Sequence, residues 1–277
     1  MTDDEDGHHL LVIGAHPDDA DFRAGGLAAR AIAHGDAVTF VSMTDGSAGH
    51  HDLAPDELAA RRQAEATAAG EVLGFEYVVR STRDGRLRPT LEERDDVIRL
   101  IRTVRPDLVL THRPNDYHPD HRYTAQLVRD AAFMVMVPNI CPDCPPLDDN
   151  PAIAYLQDDF CRPYPFDPDL FVEVTDEALA AKYDMIAAHE SQTFEWLPHL
   201  AGIGEDVPDD PDARHEWLQT DPLSTMETMA ETADRHRDDL AAIIGTNAAA
   251  EISYVEAFEI SEYGGSVPDA VRDAWFI

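Results

Sequence analysis

Short apolar runs and longer amphipathic stretches alternate along the first half of the chain. Leu10 to Ala15 is a continuous apolar run that ends at a polar turn, the pattern of a buried strand. Arg23 to Ala33 has helical spacing and is closed by Gly35, and Ala37 to Met43 predicts a second strand. Pro55 to Leu73 predicts a long helix, with proline suited to its first turn and Gly74 to its end. Glu76 to Arg80 is a third strand. Thr90 then opens a helix, with Glu93 three residues on as a capping box, that stops before Pro106. Asp107 to Thr111 predicts a fourth strand and Asp120 to Val135 a further helix. Strand, helix, strand in succession implies a parallel sheet with helices on both faces, an α/β, Rossmann-like fold.

The second half is less regular. Residues 138–168 are rich in Pro, Asp and Asn and carry all three cysteines, with a strand expected at Ala152 to Leu156. Leu170 to Thr175 is strand-like, Asp176 to His189 helical, Leu197 to Asp221 loop-rich and acidic, Ser224 to Ile244 one helix, and Tyr254 to Ile260 a last strand. With no internal repeat and no clean linker, 1–277 is expected to be one domain with insertions near 138–168 and 197–221.

Charge changes the picture of the surface. The chain holds 55 acidic against 21 basic residues, a formal net charge of -34, and Lys182 is its sole lysine. The acids sit among apolar runs rather than in a separate tail, so they predict a folded protein with an acidic coat, as in a cytoplasm of very high salt. Such a charge argues against a nucleic-acid partner. The opening stretch MTDDEDGHH lacks the apolar core of a secretory signal, and no apolar run reaches membrane-spanning length, so a cytoplasmic location is expected. His8 and His9 are expected in a frayed, inert terminus. Cys141, Cys144 and Cys161 make neither a disulfide framework nor a complete structural zinc set.

Two loops carry the candidate chemistry. His16-Pro17-Asp18-Asp19 follows the first strand, and a loop from His112 to His121 follows the fourth. In a sheet whose order reverses beside the first strand, these two strands are neighbours and their loops face each other across the crevice at the switch point. Two imidazoles and a carboxylate, His16, His121 and Asp19, suit Zn2+ and leave a position open for water. Asp18 is then placed to act as general base on that water. His118 is expected as an imidazolium that stabilises the oxyanion and protonates the leaving amine, with Asp120 holding it charged. The blander alternatives are a His-Pro turn, a helix-capping aspartate pair, and a solvated loop at His50-His51. The set also suits iron(II).

These motifs resemble the PIG-L/LmbE-like zinc N-deacetylases. Ala15-His16-Pro17-Asp18-Asp19 with Gly25-Gly26, Thr44-Asp45-Gly46, Arg62 with Glu65, Leu73-Gly74, the run His118 to His121, and Lys182 with Ala188-His189, Ser191 and Gln192 carry the likeness over nearly the whole chain. The resemblance implies an LmbE-like fold, zinc on His16, Asp19 and His121, Asp18 as base, His118 as acid and oxyanion partner, and Arg62 as a substrate contact; Asn115 is placed with Arg62. Without the resemblance, Arg62 reads equally as a surface arginine paired with Glu65. The expected reaction removes an N-acyl group, acetyl first of all, from an amino sugar or glycoconjugate. Relatives suggest a trimer or hexamer by analogy. A dinucleotide-dependent oxidoreductase is excluded by the first loop, which lacks Gly-x-Gly-x-x-Gly and puts two aspartates where a pyrophosphate would lie. A non-catalytic glycan-binding relative would be marked by loss of Asp18 or of a metal ligand, and all are present.

Overall fold

Strand β1 (His9–Gly14) alternates its side chains between two packed layers. Leu10 and Val12 join Ala24, Leu27, Ala28 and Ala31 of helix α1 (Asp19–His34), while Leu11 and Ile13 join Val97, Ile98 and Ile101 on the opposite face. A strand covered on both sides reads as a continuous apolar run, which is how it was visible in the sequence. The computed structural model describes residues 7–277; the acidic residues 1–6 of the opening stretch lie outside the described residues.

The remaining elements of the first half are β2 (Ala37–Ser42), α2 (Pro55–Leu73), β3 (Glu76–Val79), α3 (Leu91–Val104), β4 (Leu108–Thr111) and α4 (Pro119–Ala131). Then come β5 (Ala152–Leu156), β6 (Leu170–Glu173), α5 (Asp176–Ala188), α6 (Leu197–Ala201), α7 (Pro211–Leu218), α8 (Thr225–Arg235), α9 (Arg237–Ile244), α10 (Thr246–Glu251), β7 (Val255–Ile260) and α11 (Asp269–Trp275). The seven strands form one sheet in the order β3-β2-β1-β4-β5-β7-β6. Strands β1 to β5 are parallel, and β7 runs antiparallel between β5 and β6. The order reverses between β1 and β4, whose register pairs Leu10 with Leu108 and Ile13 with Thr111. Their carboxyl ends therefore open side by side. No helix among the described residues is long and apolar enough to cross a membrane.

Several local expectations are corrected. The first helix begins at Asp19 rather than Arg23, because the loop after β1 turns sharply at Asp18. The fourth helix ends at Ala131 and is followed by a 3-10 turn, Phe133–Met136. Residues 197–221 are not mainly loop: α6 and α7 are short helices with Pro198 and Pro211 in their first turns, too brief to leave a periodic signal. The single helix expected from Ser224 to Ile244 breaks at His236, whose Nδ1 pairs with Asp239 Oδ2 at 2.9 Å. His8 and His9 are not frayed: His9 opens β1 with Nε2 2.8 Å from Thr39 Oγ1, and the His8 ring stands edge-on to Trp275. The cysteine-bearing segment is ordered by Arg102, buried at the end of α3, which donates to the carbonyls of Met134, Val135, Val137, Ile140, Cys141 and Cys144. The three cysteines are free, and none joins a metal-ligating cluster among the described residues.

The sole lysine and the paired glycines have one explanation. Lys182 Nζ lies 2.6 Å from Glu256 Oε1 and donates to Phe22 O at 2.7 Å, and Glu256 accepts the N–H groups of Gly26 and Leu27. A Cβ at Gly25 would stand 2.9 Å from Lys182 Cγ, and one at Gly26 would stand 2.7 Å from Val174 Cγ2. This buried pair locks α1, α5 and β7 together behind the site. Removing either partner would strand a charge in the interior, at a cost of about 3–5 kcal/mol.

Candidate metal and catalytic site

The two loops meet over the carboxyl ends of β1 and β4. His16 Nδ1 lies 3.1 Å from His121 Nε2. Asp19 turns Oδ2 to His16 Nδ1 at 3.5 Å and Oδ1 to His121 Nε2 at 3.6 Å. Ligand atoms held about 2.0–2.2 Å from a tetrahedral ion stand about 3.3–3.5 Å apart, so the His16–His121 and His121–Asp19 Oδ1 separations are close to two edges of such a site.

Among the described residues, three overlapping sets of groups are close enough to hold an ion: His16, His118 and His121; Asp19, His112 and His121; and His16, Asp84 and Asp120. Proton positions separate ligands from supports. His118 is the N-cap of α4, and its Nδ1 accepts the N–H of Asp120 at 3.2 Å. With its lone pair at Nδ1 so used, the ring carries its proton on Nε2, which makes that nitrogen a donor and not a ligand. His112 Nε2 lies 3.1 Å from Asp19 Oδ2. Burial, with His121 nearby, lowers His112 to about 4, so the ring is neutral, and its Nε2 accepts the N–H of Ala15 at 3.0 Å, which occupies the lone pair that a ligand would need. Asp19 Oδ2 also receives the N–H groups of Ala15 at 2.9 Å and His16 at 2.7 Å. That oxygen is saturated, and Oδ1 is the one left free.

The outer nitrogens of the two ligand-like histidines face carboxylates. His16 Nε2 lies 3.2 Å from Asp84 Oδ1 and 3.7 Å from Asp120 Oδ2, and His121 Nδ1 lies 3.0 Å from Asp116 Oδ2. Carboxylates in this position fix the ring orientation of metal-binding histidines. The same groups make the spot hungry for positive charge. Burial opposes charge on His16, yet Asp120, Asp19 and Asp84 raise its imidazole well above its ordinary value. Burial opposes ionisation of Asp19, yet His121 and His112 hold it well below the usual carboxylate range. Asp84 is lowered to about 2, its burial outweighed by the contact with His16. The donor set and the charge both fit a divalent cation.

Asp18 stands at the edge of this cluster in a conformation that L residues rarely adopt, with φ 137°. Its N–H donates to Tyr77 Oη at 3.0 Å, and Tyr77 donates to Asp21 Oδ2 at 3.0 Å. Asp21 Oδ2 in turn lies 3.0 Å from His189 Nε2, with both side chains fully buried. This relay holds the strained turn in place. Burial raises the Asp18 carboxyl above its ordinary value, with Arg62 opposing and Asp19 adding to the rise.

Arg62 does not pair with Glu65. It is 2% exposed, with Nη2 3.1 Å from Asp18 Oδ2 and 2.5 Å from Pro17 O, and Nη1 donating to Gly46 O. It lines the cavity, but its guanidinium grips the Asp18 turn. Glu65 instead receives the N–H and hydroxyl of Ser191. Asp120 does not clamp the His118 ring as expected. Its carboxylate accepts the N–H of Gly85 at 2.6 Å and faces His16, while only its backbone N–H meets His118. His118 is accordingly lowered, chiefly by burial and then by His16 and His121, rather than held as an imidazolium. Asn115 is not among the cavity-lining residues; its amide donates to Arg162 O. His50 does not reach the cavity either, its Nε2 pairing with Glu195 at 2.9 Å.

The groups sequence reasoning missed are Asp84, Asp116, Asp21 and Tyr77. Asp116 lies inside the second loop and Asp21 on the first turn of α1, two residues beyond the first loop, so proximity to the motifs was the available signal. Asp84 sits in the Arg83-Asp84-Gly85 turn beyond β3, the third strand end on this edge. Above these groups opens a cavity of ≈ 1030 Å³, whose lining adds Trp196, Leu197, Leu200 and Leu223 to the polar cluster. Trp196 ends a π-helical turn, Ser191–Trp196, anchored by Glu65 and by Gln192 donating to Gly49 O at 3.0 Å. Turns of that kind concentrate at functional sites.

Residues 11–132 match the family model for GlcNAc-PI de-N-acetylase. The chain is 31% identical over 209 residues to diacetylchitobiose deacetylase of Thermococcus kodakarensis, covering 70% of this chain and 75% of that one. It is 27% identical over 199 residues to 4-oxalmesaconate hydratase of Pseudomonas putida, covering 67% and 74%. Among solved structures, N,N'-diacetylchitobiose deacetylase from Pyrococcus horikoshii superposes with a TM-score of 0.70 at 25% identity, covering 94% of this chain and 85% of that one.

Proposed function

The chain belongs to the GlcNAc-PI de-N-acetylase family, and from that premise we propose that it is a zinc-dependent hydrolase removing an N-acyl group, acetyl first of all, from an amino-sugar-containing substrate. The observation that carries this reading is the convergence of His16, His121 and Asp19 at 3.1–3.6 Å beside the Asp18 carboxylate. His16 Nδ1, His121 Nε2 and Asp19 Oδ1 would hold the ion. When bound, zinc supplies Lewis acidity and lowers the pKa of a water to about 7.

Asp18 is the general base. Its carboxylate accepts the proton of the attacking water, and the burial that raises it brings its basicity closer to neutral pH. Arg62 fixes the carboxylate and so keeps its free lone pair aimed at the cavity. His118 donates its Nε2 hydrogen to the amide oxygen as negative charge develops there. Because a ring neutral at Nδ1 has no second proton to give, the proton delivered to the departing amine is assigned to Asp18. The products are a carboxylate and a free amine. The names of the relatives support an N-acetylated sugar as substrate, and the size of the cavity is ample for one with more than a single ring.

Because one relative is named as a hydratase, the product decides the reaction class. Incubation with N-acetylglucosamine and N,N'-diacetylchitobiose is expected to release acetate and primary amine in equal amounts. The reading fails if neither compound nor any other N-acylated sugar yields amine while 4-oxalmesaconate is hydrated.

A further inference from the structure

Among the described residues, four arginine and lysine side chains line the cavity, and three of them are spent on the fold. Arg62 holds Asp18, Arg113 lies 2.6 Å from Asp158 Oδ1, and Lys182 lies 2.6 Å from Glu256 Oε1. The fourth, Arg23, is exposed, and its guanidinium makes no ion pair or hydrogen bond among the described residues. In a chain with 55 acidic and 21 basic residues, a guanidinium facing a cavity with no carboxylate partner is out of keeping with its surroundings. Arg23 stands one helical turn beyond Asp19 on α1, so both project along the same stripe of the helix. The amide-cleaving groups and this free cation therefore share one space, set apart by about a turn of helix.

We propose that Arg23 is a specificity residue that receives an oxyanion carried by the substrate away from its scissile amide, so that the substrate class is an N-acylated amino sugar bearing a carboxylate or a phosphate. The inference rests on the proposed deacetylation and adds the second anchor. A guanidinium presents a planar fork of N–H donors that matches a carboxylate or phosphate with two parallel bonds. The rest of the lining cannot take that role, because its other cations are neutralised by Asp18, Asp158 and Glu256 and its remaining acids repel an anion. Arg23 thus gives the substrate a direction in the cavity, with the oxyanion at α1 and the amide at the histidines.

The test compares neutral N-acetylglucosamine with N-acetylglucosamine 6-phosphate and N-acetylmuramic acid, using wild type, Arg23→Ala and Arg23→Lys at one fixed ionic strength. Wild type is expected to favour at least one anionic sugar over the neutral one by about ten- to a hundredfold in kcat/KM, the range of a charge-assisted hydrogen bond. In Arg23→Ala that ratio collapses, through KM rather than kcat, and Arg23→Lys keeps part of it. Preference for the phosphate alone or for the lactyl carboxylate alone identifies which oxyanion is read. Equilibrium binding of glucosamine 6-phosphate, muramic acid and glucosamine needs no turnover, so it judges Arg23 even if amide cleavage itself fails. No anionic preference in wild type, by rate and by binding, overturns the proposal, as does a preference that survives in Arg23→Ala.

Discussion

Asp18→Asn lowers kcat for amine release by about 10²–10⁴-fold while metal content stays at the wild-type level. Asparagine keeps the shape of the side chain and can still accept from Arg62 Nη2, which lies 3.1 Å from Asp18 Oδ2. It cannot take a proton from water or return one to the amine. Asparagine is preferable to alanine as the probe. Arg62 is 2% exposed, and alanine would leave that buried cation without its carboxylate at a cost of about 3–5 kcal/mol. A loss of activity in the alanine variant would then mix chemistry with stability. Steady-state kinetics and metal analysis on the same preparation make the measurement. An Asp18→Asn enzyme with wild-type kcat would remove the base from the mechanism.

His121→Ala has the second large effect, and it differs in kind: metal content and turnover are lost together. His121 is common to two of the three clusters able to hold an ion, and its Nε2 approaches both His16 and Asp19. Loss of an outer partner of a metal site weakens binding by about 10–100-fold, and loss of a ligand weakens it further. His118→Ala is the internal contrast, because a ring that caps α4 through Nδ1 can leave without taking a ligand atom. Metal analysis of the two variants beside wild type checks the assignment. Retention of metal by His121→Ala would show that the ion sits among His16, Asp84 and Asp120 instead.

The sheet and the two working loops were legible because their causes are local. Buried parallel strands are apolar runs, and Pro55, Gly74 and the Thr90 N-cap mark helix ends at the residues themselves, although the Glu93 side chain expected to complete a capping box turns to Thr82 instead. The meeting of His16 with His121 followed from topology alone, once β1 and β4 were placed side by side. What could not be read was which polar groups answer each other across long separations. The Asp21–His189 contact spans 168 positions and Asp18–Tyr77 spans 59, and neither residue type announces its partner. Asp120 shows the same limit within one motif. The sequence puts it two residues from His118, but on the first turn of a helix its carboxylate swings to His16 and Gly85, leaving only its N–H for the ring. Arg62 likewise sits at helical spacing from Glu65, and only the fold shows that it turns inward to Asp18. The short helices after residue 197 depend on packing rather than on a periodic face, so the chain gave little warning of them.

The most direct test of the central claim is removal and return of the metal. The purified chain is stripped with a chelator, checked for an unchanged fold, and titrated with zinc at constant salt while amine release from an N-acetylated amino sugar is followed. Activity is expected to vanish on stripping and to return in proportion to zinc until one ion is bound per chain, with His121→Ala unresponsive throughout. Full amine release by the metal-free chain would contradict the account.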